Sequence, residues 1–155
     1  MIQRPQSIFL LLVALMSMAA LIQPLWIQHT QQTVWTLDAW GLSVDDSIRM
    51  DQVRYRWPYV CTALGTLVAA LNSLYALFRY DNRKLQSRLV ACSSLLMTCV
   101  LVWVLYLTAC QRDPLAAQRY GGGFYALLVG VVANVAARRG IRRDEERIRS
   151  ADRVR

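Results

Sequence analysis

Residues 57–78 read WPYVCTALGTLVAALNSLYALF, a stretch without a single Asp, Glu, Lys, Arg or His. As a helix rising about 1.5 Å per residue it measures about 33 Å, enough for the roughly 30 Å hydrocarbon core of a bilayer. Trp57 and Tyr59 are the amphipathic aromatics that settle at headgroup level, and Pro58 suits a first helical turn, where no backbone N–H is needed. The stretch predicts a membrane span, because a helix satisfies its own backbone polar groups where water is absent.

Three further runs share this character. Ser7 to Ile27 is charge-free, with Gln23 and Pro24 near its far end; Leu89 to Cys110 and Tyr120 to Ala137 follow. The last is the shortest, at about 27 Å, and should stand fairly upright, its Gly121 to Gly123 making a flexible start. Together they predict an all-α membrane protein, a four-transmembrane-helix bundle forming one domain over 1–155. Arg4 and the small-x-small triplet Ser17-Met18-Ala19 also fit a cleaved signal peptide. The apolar run continues past that triplet to Ile27, which favours a retained span.

The connectors orient the bundle. Arg4, then Arg79, Arg83, Lys84 and Arg88, then every arginine from Arg138 onward fall on one side; Arg49, Arg54, Arg56, Arg112 and Arg119 fall on the other. Basic residues near span ends stay cytoplasmic, so both termini and the loop at Asn82 are expected on the cytoplasmic face of the membrane. The net charge of +8 and pI near 9.9 follow from this bias. With no recognisable binding motif beside the basic groups, nucleic acid is not an expected partner.

Gln28 to Arg56 is the one sizeable outer segment. Thr33 to Leu37 is β-branched and aromatic, Asp45-Asp46-Ser47 has turn chemistry, and Ile48 to Tyr55 alternates, so a small extracytoplasmic β-hairpin loop is expected. A hairpin is marginal alone and needs the helix ends or headgroups beneath it.

Candidate chemistry is sparse. Cys61, Cys92, Cys99 and Cys110 lie within spans without the close pairing of a metal site, and are expected as small buried thiols. Cys61 and Cys110 fall towards the outer ends of adjacent spans, where a bridge is geometrically conceivable. His29 is the sole histidine and has no nucleophile or metal partners around it. Asp38, Asp45, Asp46 and Asp51 read as solvated acids of the outer loop. No catalytic, metal or cofactor-binding residue is expected, and no cofactor.

Polar residues inside the spans are more informative. Asn72, Ser73, Ser93, Ser94 and Asn134 all fall in the cytoplasmic third of their runs and are expected to form one hydrogen-bonded packing layer; the alternative is a polar cavity for a lipid headgroup or small solute. Gly65, Ala69 and Ser73, and Gly122, Ala126, Gly130 and Asn134, recur at spacing four. Such small-residue stripes make the second and fourth helices the expected close pair, within one chain or between two. The tail from Arg138 pairs Arg142 with Glu146 and Glu145 with Arg149 at helical spacing, predicting a short charged helix past Gly140. Arg138, Arg139, Arg142, Arg143, Arg147 and Arg149 are its candidate contacts to anionic lipid or a cytoplasmic partner.

The two ends of the chain carry a resemblance. Met1-Ile2-Gln3-Arg4 with Gln6, Tyr120-Gly121 with Gly123-Phe124-Tyr125, and Ile141, Asp144-Glu145, Ser150, Asp152-Arg153 and Arg155 resemble the domain of unknown function 4293 family, small four-span proteins of Bacteroidota inner membranes. Pro5 departs from the aliphatic residue expected there. The resemblance implies fold and location and supplies no activity, cofactor or catalytic residue. A non-enzymatic structural, assembly or interaction protein is the resulting expectation, with a homo-oligomer or membrane-protein partner; the alternative is a lipid or neutral small-molecule carrier. Charge-free spans weigh against ion-coupled transport, which needs an embedded ionisable group.

Overall fold

The computed structural model describes residues 5–46, 51–79 and 83–152. Among them are four helices, α1 (Pro5–Ile22), α2 (Val60–Phe78), α3 (Arg83–Cys110) and α4 (Gly122–Asp152). Five strands lie between them in sequence: β1 (Trp26–His29), β2 (Thr33–Asp38), β3 (Gly41–Asp46), β4 (Asp51–Tyr55) and β5 (Ala117–Tyr120). Arg4, Ser47 of the expected turn, Ile48 to Met50 of the expected alternating stretch and Asn82 lie outside the described residues.

Three helices contain segments long and apolar enough to cross a membrane: Val60–Phe78, Leu85–Cys110 and Gly122–Arg143, with mean hydropathies of 1.6, 2.2 and 1.4. The first apolar run behaves differently from its expected span over 7–27. Its helix stops at Ile22, after Gln23 N donates to Ala19 O at 3.0 Å. Pro24 has no N–H to continue the ladder. Leu25 then turns sideways, its N–H donating to Leu37 O at 2.8 Å, and Trp26 to His29 run as a strand.

That strand enlarges the expected hairpin into a five-stranded antiparallel sheet of order β4-β3-β2-β1-β5. β1 pairs with β2 from Trp26↔Leu37 to His29↔Val34, and with β5 from Trp26↔Tyr120 to His29↔Ala117. Tyr120, expected to open the fourth span, is therefore the last residue of a strand. Backbone bonds tie the segments flanking the strands to the starts of α2 and α4: Ala63 N to Ala39 O at 3.0 Å, Gly121 N to Leu25 O at 3.0 Å, and Gly123 N to Pro24 O at 3.0 Å.

The helices pack in a ring, α1 against α2 and α4, and α3 against α2 and α4. The expected α2–α4 pair is thus diagonal across the ring, and the small-residue stripes serve other neighbours. A Cβ on Gly65 would lie 2.6 Å from Val100 of α3, and one on Gly130 would lie 2.5 Å from Met97 of α3. Helical spacing marks a close-packing face but not which helix meets it.

Burial is continuous from sheet to helices, with Trp26, Leu37 and Leu42 in one cluster with Val13, Ala69, Met97, Val104 and Leu127. A smaller cluster at the far end gathers Leu10, Ala76, Val90, Ala137 and Ile141. Ile141 explains why the helix does not stop at Gly140, where a separate tail helix was expected. An interior glycine costs only about 1 kcal/mol, and burying an isoleucine one residue later offsets it. Outward, Ile8, Leu15, Leu71, Leu95, Val102 and Val132 are all about half exposed or more. Exposed apolar surface of this extent, with three helices long and apolar enough to cross a membrane, fits a membrane-embedded protein.

Candidate functional site

Two groups of residues organise the molecule, one inside the helix ring and one where helices meet sheet. Inside, Asn72 of α2 donates both amide hydrogens to α3, at 2.9 Å to Leu89 O and 2.9 Å to Ser93 Oγ. Ser73 donates to the same Ser93 hydroxyl at 3.2 Å. From the other side of α3, Asn134 of α4 is wholly buried; with its amide assigned the orientation that its neighbours' donors and acceptors require, the nitrogen donates to Val90 O at 3.2 Å and the oxygen accepts from Ser94 N–H at 3.1 Å. One turn further from the sheet, buried Gln86 donates to Ala76 O at 3.2 Å and ties α3 back to α2.

Four of the five sequence-derived polar candidates therefore converge on one segment of α3 through their side chains. Ser94 takes part through its backbone. Gln86 lies outside the charge-free run expected from Leu89, so reading that run for polar residues missed it. The arrangement uses amide groups in complementary pairs and offers no group of shifted acidity. It is suited to holding helices in register; side-chain hydrogen bonds between membrane helices contribute about 0.6 kcal/mol each.

Elsewhere inside the ring, Thr66 donates to Thr62 O at 2.7 Å and Ser17 to Val13 O at 2.8 Å, each one turn back along its own helix. Among the described residues, the buried Thr62 Oγ1 and Trp103 Nε1 have no hydrogen-bond partner.

The junction with the sheet depends on close approach. A Cβ on Gly121 would collide with the Pro24 carbonyl, and one on Gly123 would lie 2.5 Å from Gln23 O. The glycines expected to loosen the start of the fourth helix are instead where it seats against the end of the first. Trp40 reinforces the seat by donating from Nε1 to Leu21 O at 3.0 Å, satisfying one of the carbonyls left open at the α1 C-terminus. On the sheet, Arg54 of β4 stands 3.9 Å from the Asp38 carboxylate of β2. Partial burial raises the Asp38 carboxyl above its ordinary range, and the Arg54 charge opposes that shift.

At the rim of the sheet, a cavity of about 610 Å³ opens between the last turns of α3 and β5, with Trp26, Leu105, Ala109, Arg112, Gln118 and Arg119 in its wall. Gln118 is fixed there by donating to Asp113 O at 2.8 Å. A shallower apolar groove of about 430 Å³ runs along α3 beside Val102, Trp103 and Tyr106.

The remaining candidates stay apart. All four cysteines are free thiols; Cys92, Cys99 and Cys110 are exposed on the outer surface of α3 rather than buried, because most of that helix faces away from the ring. His29 is exposed at the end of β1. Among the described residues no three His, Cys, Asp or Glu side chains gather as a metal site. Arg138, Arg139, Arg142 and Arg143 lie on the continuous α4, the first two and last two exposed, while the side chains of Arg147 and Arg149 lie outside the described residues.

None of the curated proteins matches the chain. One family model does, the domain of unknown function (DUF4293), and it covers residues 2–154, taking in all four helices, the sheet and the glycine junction. A match over nearly the whole chain includes both ends that carried the resemblance, and the chain accordingly belongs to the domain of unknown function (DUF4293) family.

Proposed function

We propose that this protein is a four-span, non-enzymatic structural, assembly or interaction protein of a bacterial inner membrane. The observation that carries this reading is the engagement of Asn72, Ser73, Ser93 and Asn134 in helix-to-helix hydrogen bonds. Polar groups committed to one another hold helices together; a carrier would need them turned towards a solute. Both cavities described above lie at the rim or outer face of α3, and neither has Asn72 or Asn134 in its wall. α1 would make the fourth span. It is buried on one side through Leu10 and Val13 and presents Ile8, Leu11, Leu15 and Met18 outward, as a helix between two neighbours and lipid should.

In this reading the termini and the Asn82 loop are cytoplasmic and the sheet is a platform on the opposite surface, because the basic residues of the connectors are concentrated at the other end of the helices. The arginines of α4 beyond Ala137 would meet anionic headgroups or a cytoplasmic partner.

Purification from native membranes in mild detergent tests the functional part. A stoichiometric protein partner, or a stable homo-oligomer, is the expected result; a monomer that carries a bound neutral solute would move the conclusion to the carrier reading. Reporter fusions at Ser47 and Asn82 test the orientation, with Asn82 expected inside. An external Asn82 would overturn the topology.

A further inference from the structure

We infer that the cavity between α3 and β5 is a binding site for an anionic phospholipid of the leaflet on the sheet side, its phosphate held by Arg112 and Arg119 and its acyl chain laid along α3. The inference requires that α3 spans the membrane, and is otherwise independent of the assembly role proposed above.

Three observations converge on this occupant. The cavity, at about 610 Å³, falls within the range of sites that enclose a small organic group. Its wall is divided: Arg112, Gln118 and Arg119 supply donors at the rim, while Leu105 and Ala109 supply an apolar side on the membrane-facing surface of α3. Below them the exposed face of α3 is largely apolar, through Leu105 at 40% exposure, Val102 at 59% and Leu95 at 66%, with the Thr98 hydroxyl between them turned back onto Ser94 O at 2.8 Å. A headgroup with a chain attached matches that division, whereas a free anion would use only the rim.

Charge argues in the same direction. Neither Arg112 nor Arg119 is paired with a carboxylate among the described residues, whereas Arg54 stands beside Asp38. The nearest acid in sequence, Asp113, is engaged in its own loop: its Oδ1 accepts from Leu115 N–H at 3.0 Å, and it is not part of the cavity wall. Each of the two unpaired guanidiniums beside this opening carries the planar fork of donors that phosphate oxygens accept. They also stand on the end of the bundle with fewer basic residues, where topology gives them no role.

A photoreactive phosphatidylglycerol, incorporated with the full chain into phosphatidylcholine nanodiscs and mapped by peptide mass spectrometry, reads the site directly. The expected adducts fall on residues 105–112 and 118–120, and exceed those from a photoreactive phosphatidylcholine. In R112Q/R119Q, with thermal midpoint unchanged, apparent affinity should drop about thirtyfold, or about 2 kcal/mol at roughly 1 kcal/mol per basic residue near an anionic headgroup. R138Q/R139Q should leave these adducts intact. Should the double variant lose stability, Ala109→Trp, which fills the cavity and keeps both arginines, must abolish the adducts instead. Equal labelling by phosphatidylcholine, or labelling unchanged in both R112Q/R119Q and Ala109→Trp, would overturn the site. Complete competition by inorganic phosphate would overturn the lipid as its occupant in favour of a free anion.

Discussion

Where the helices meet the sheet, segments distant in sequence are joined backbone to backbone: Leu25 to Leu37, Ala39 to Ala63, Gly121 to Leu25 and Gly123 to Pro24. Deeper in the ring the same work is done by side chains, with Asn72, Ser73, Gln86 and Asn134 reaching across to neighbouring helices. The difference is one of tolerance. A backbone junction depends on how closely two chains approach, and any added carbon obstructs it. A side-chain junction loses its hydrogen bonds on substitution but keeps its packing if the volume is conserved.

Paired glycine substitutions expose this contrast with the largest effect. Gly121→Ala pushes a methyl group into the Pro24 carbonyl, a rigid backbone neighbour, and should destabilise by about 1–3 kcal/mol or prevent assembly. Gly130→Ala meets only the terminal methyl of Met97, which can swing away, while alanine gains up to about 1 kcal/mol over glycine within a helix. It should be near neutral. Thermal unfolding of both variants in mild detergent checks the order; equal losses would mean that the sheet end is no more constrained than the ring.

The contrast also explains what could be read from the sequence. The second and third apolar runs kept their predicted far ends at Phe78 and Cys110, because hydropathy reports burial in lipid and a long helix is the one open structure that permits it. Asn72, Ser73, Ser93 and Asn134 were visible for the same reason: a polar side chain among apolar ones needs a partner. β1 and β5 were hidden. Trp26 and Ile27 prolong an apolar run, so only Pro24 signalled that the helix had ended, and Ala117 to Tyr120 is too short and too exposed to show alternation. Gly121 to Gly123 were misread because small size serves flexibility and close approach equally, and the sequence does not contain the opposing carbonyl. The rim cavity was invisible for a related reason, since its wall draws on three segments that only the β1–β5 pairing brings together.

A smaller effect separates the amides from the backbone junction. Asn134→Leu conserves volume and removes two hydrogen bonds to α3, while the Val90 carbonyl and Ser94 N–H remain one turn apart on their own helix. A loss of about 1 kcal/mol is expected. Asn72→Leu should cost about the same, and because the two residues grip α3 from different helices, the double substitution should be roughly additive. Denaturation in mixed detergent micelles measures each value. A collapse of the fold on either single substitution would mean that these amides do more than fasten helices, and would favour a functional polar chamber.

The smallest expected effect lies on the sheet, at a side chain that holds nothing together. Because burial raises the folded-state pKa of Asp38, the ionised carboxylate is less comfortable in the folded protein than in the unfolded chain, even with Arg54 at 3.9 Å. Its relative stabilisation is complete below the unfolded pKa and is lost as pH rises through the folded one. Asp38→Asn should therefore leave stability slightly raised at neutral pH, with the gain vanishing near about pH 3, where the carboxyl is protonated in both states. Thermal midpoints of the two proteins across that window check the sign. A variant that is less stable at neutral pH would show that the Arg54 attraction outweighs burial, making this part-buried pair across β3 a fastening of the sheet rather than a cost to it.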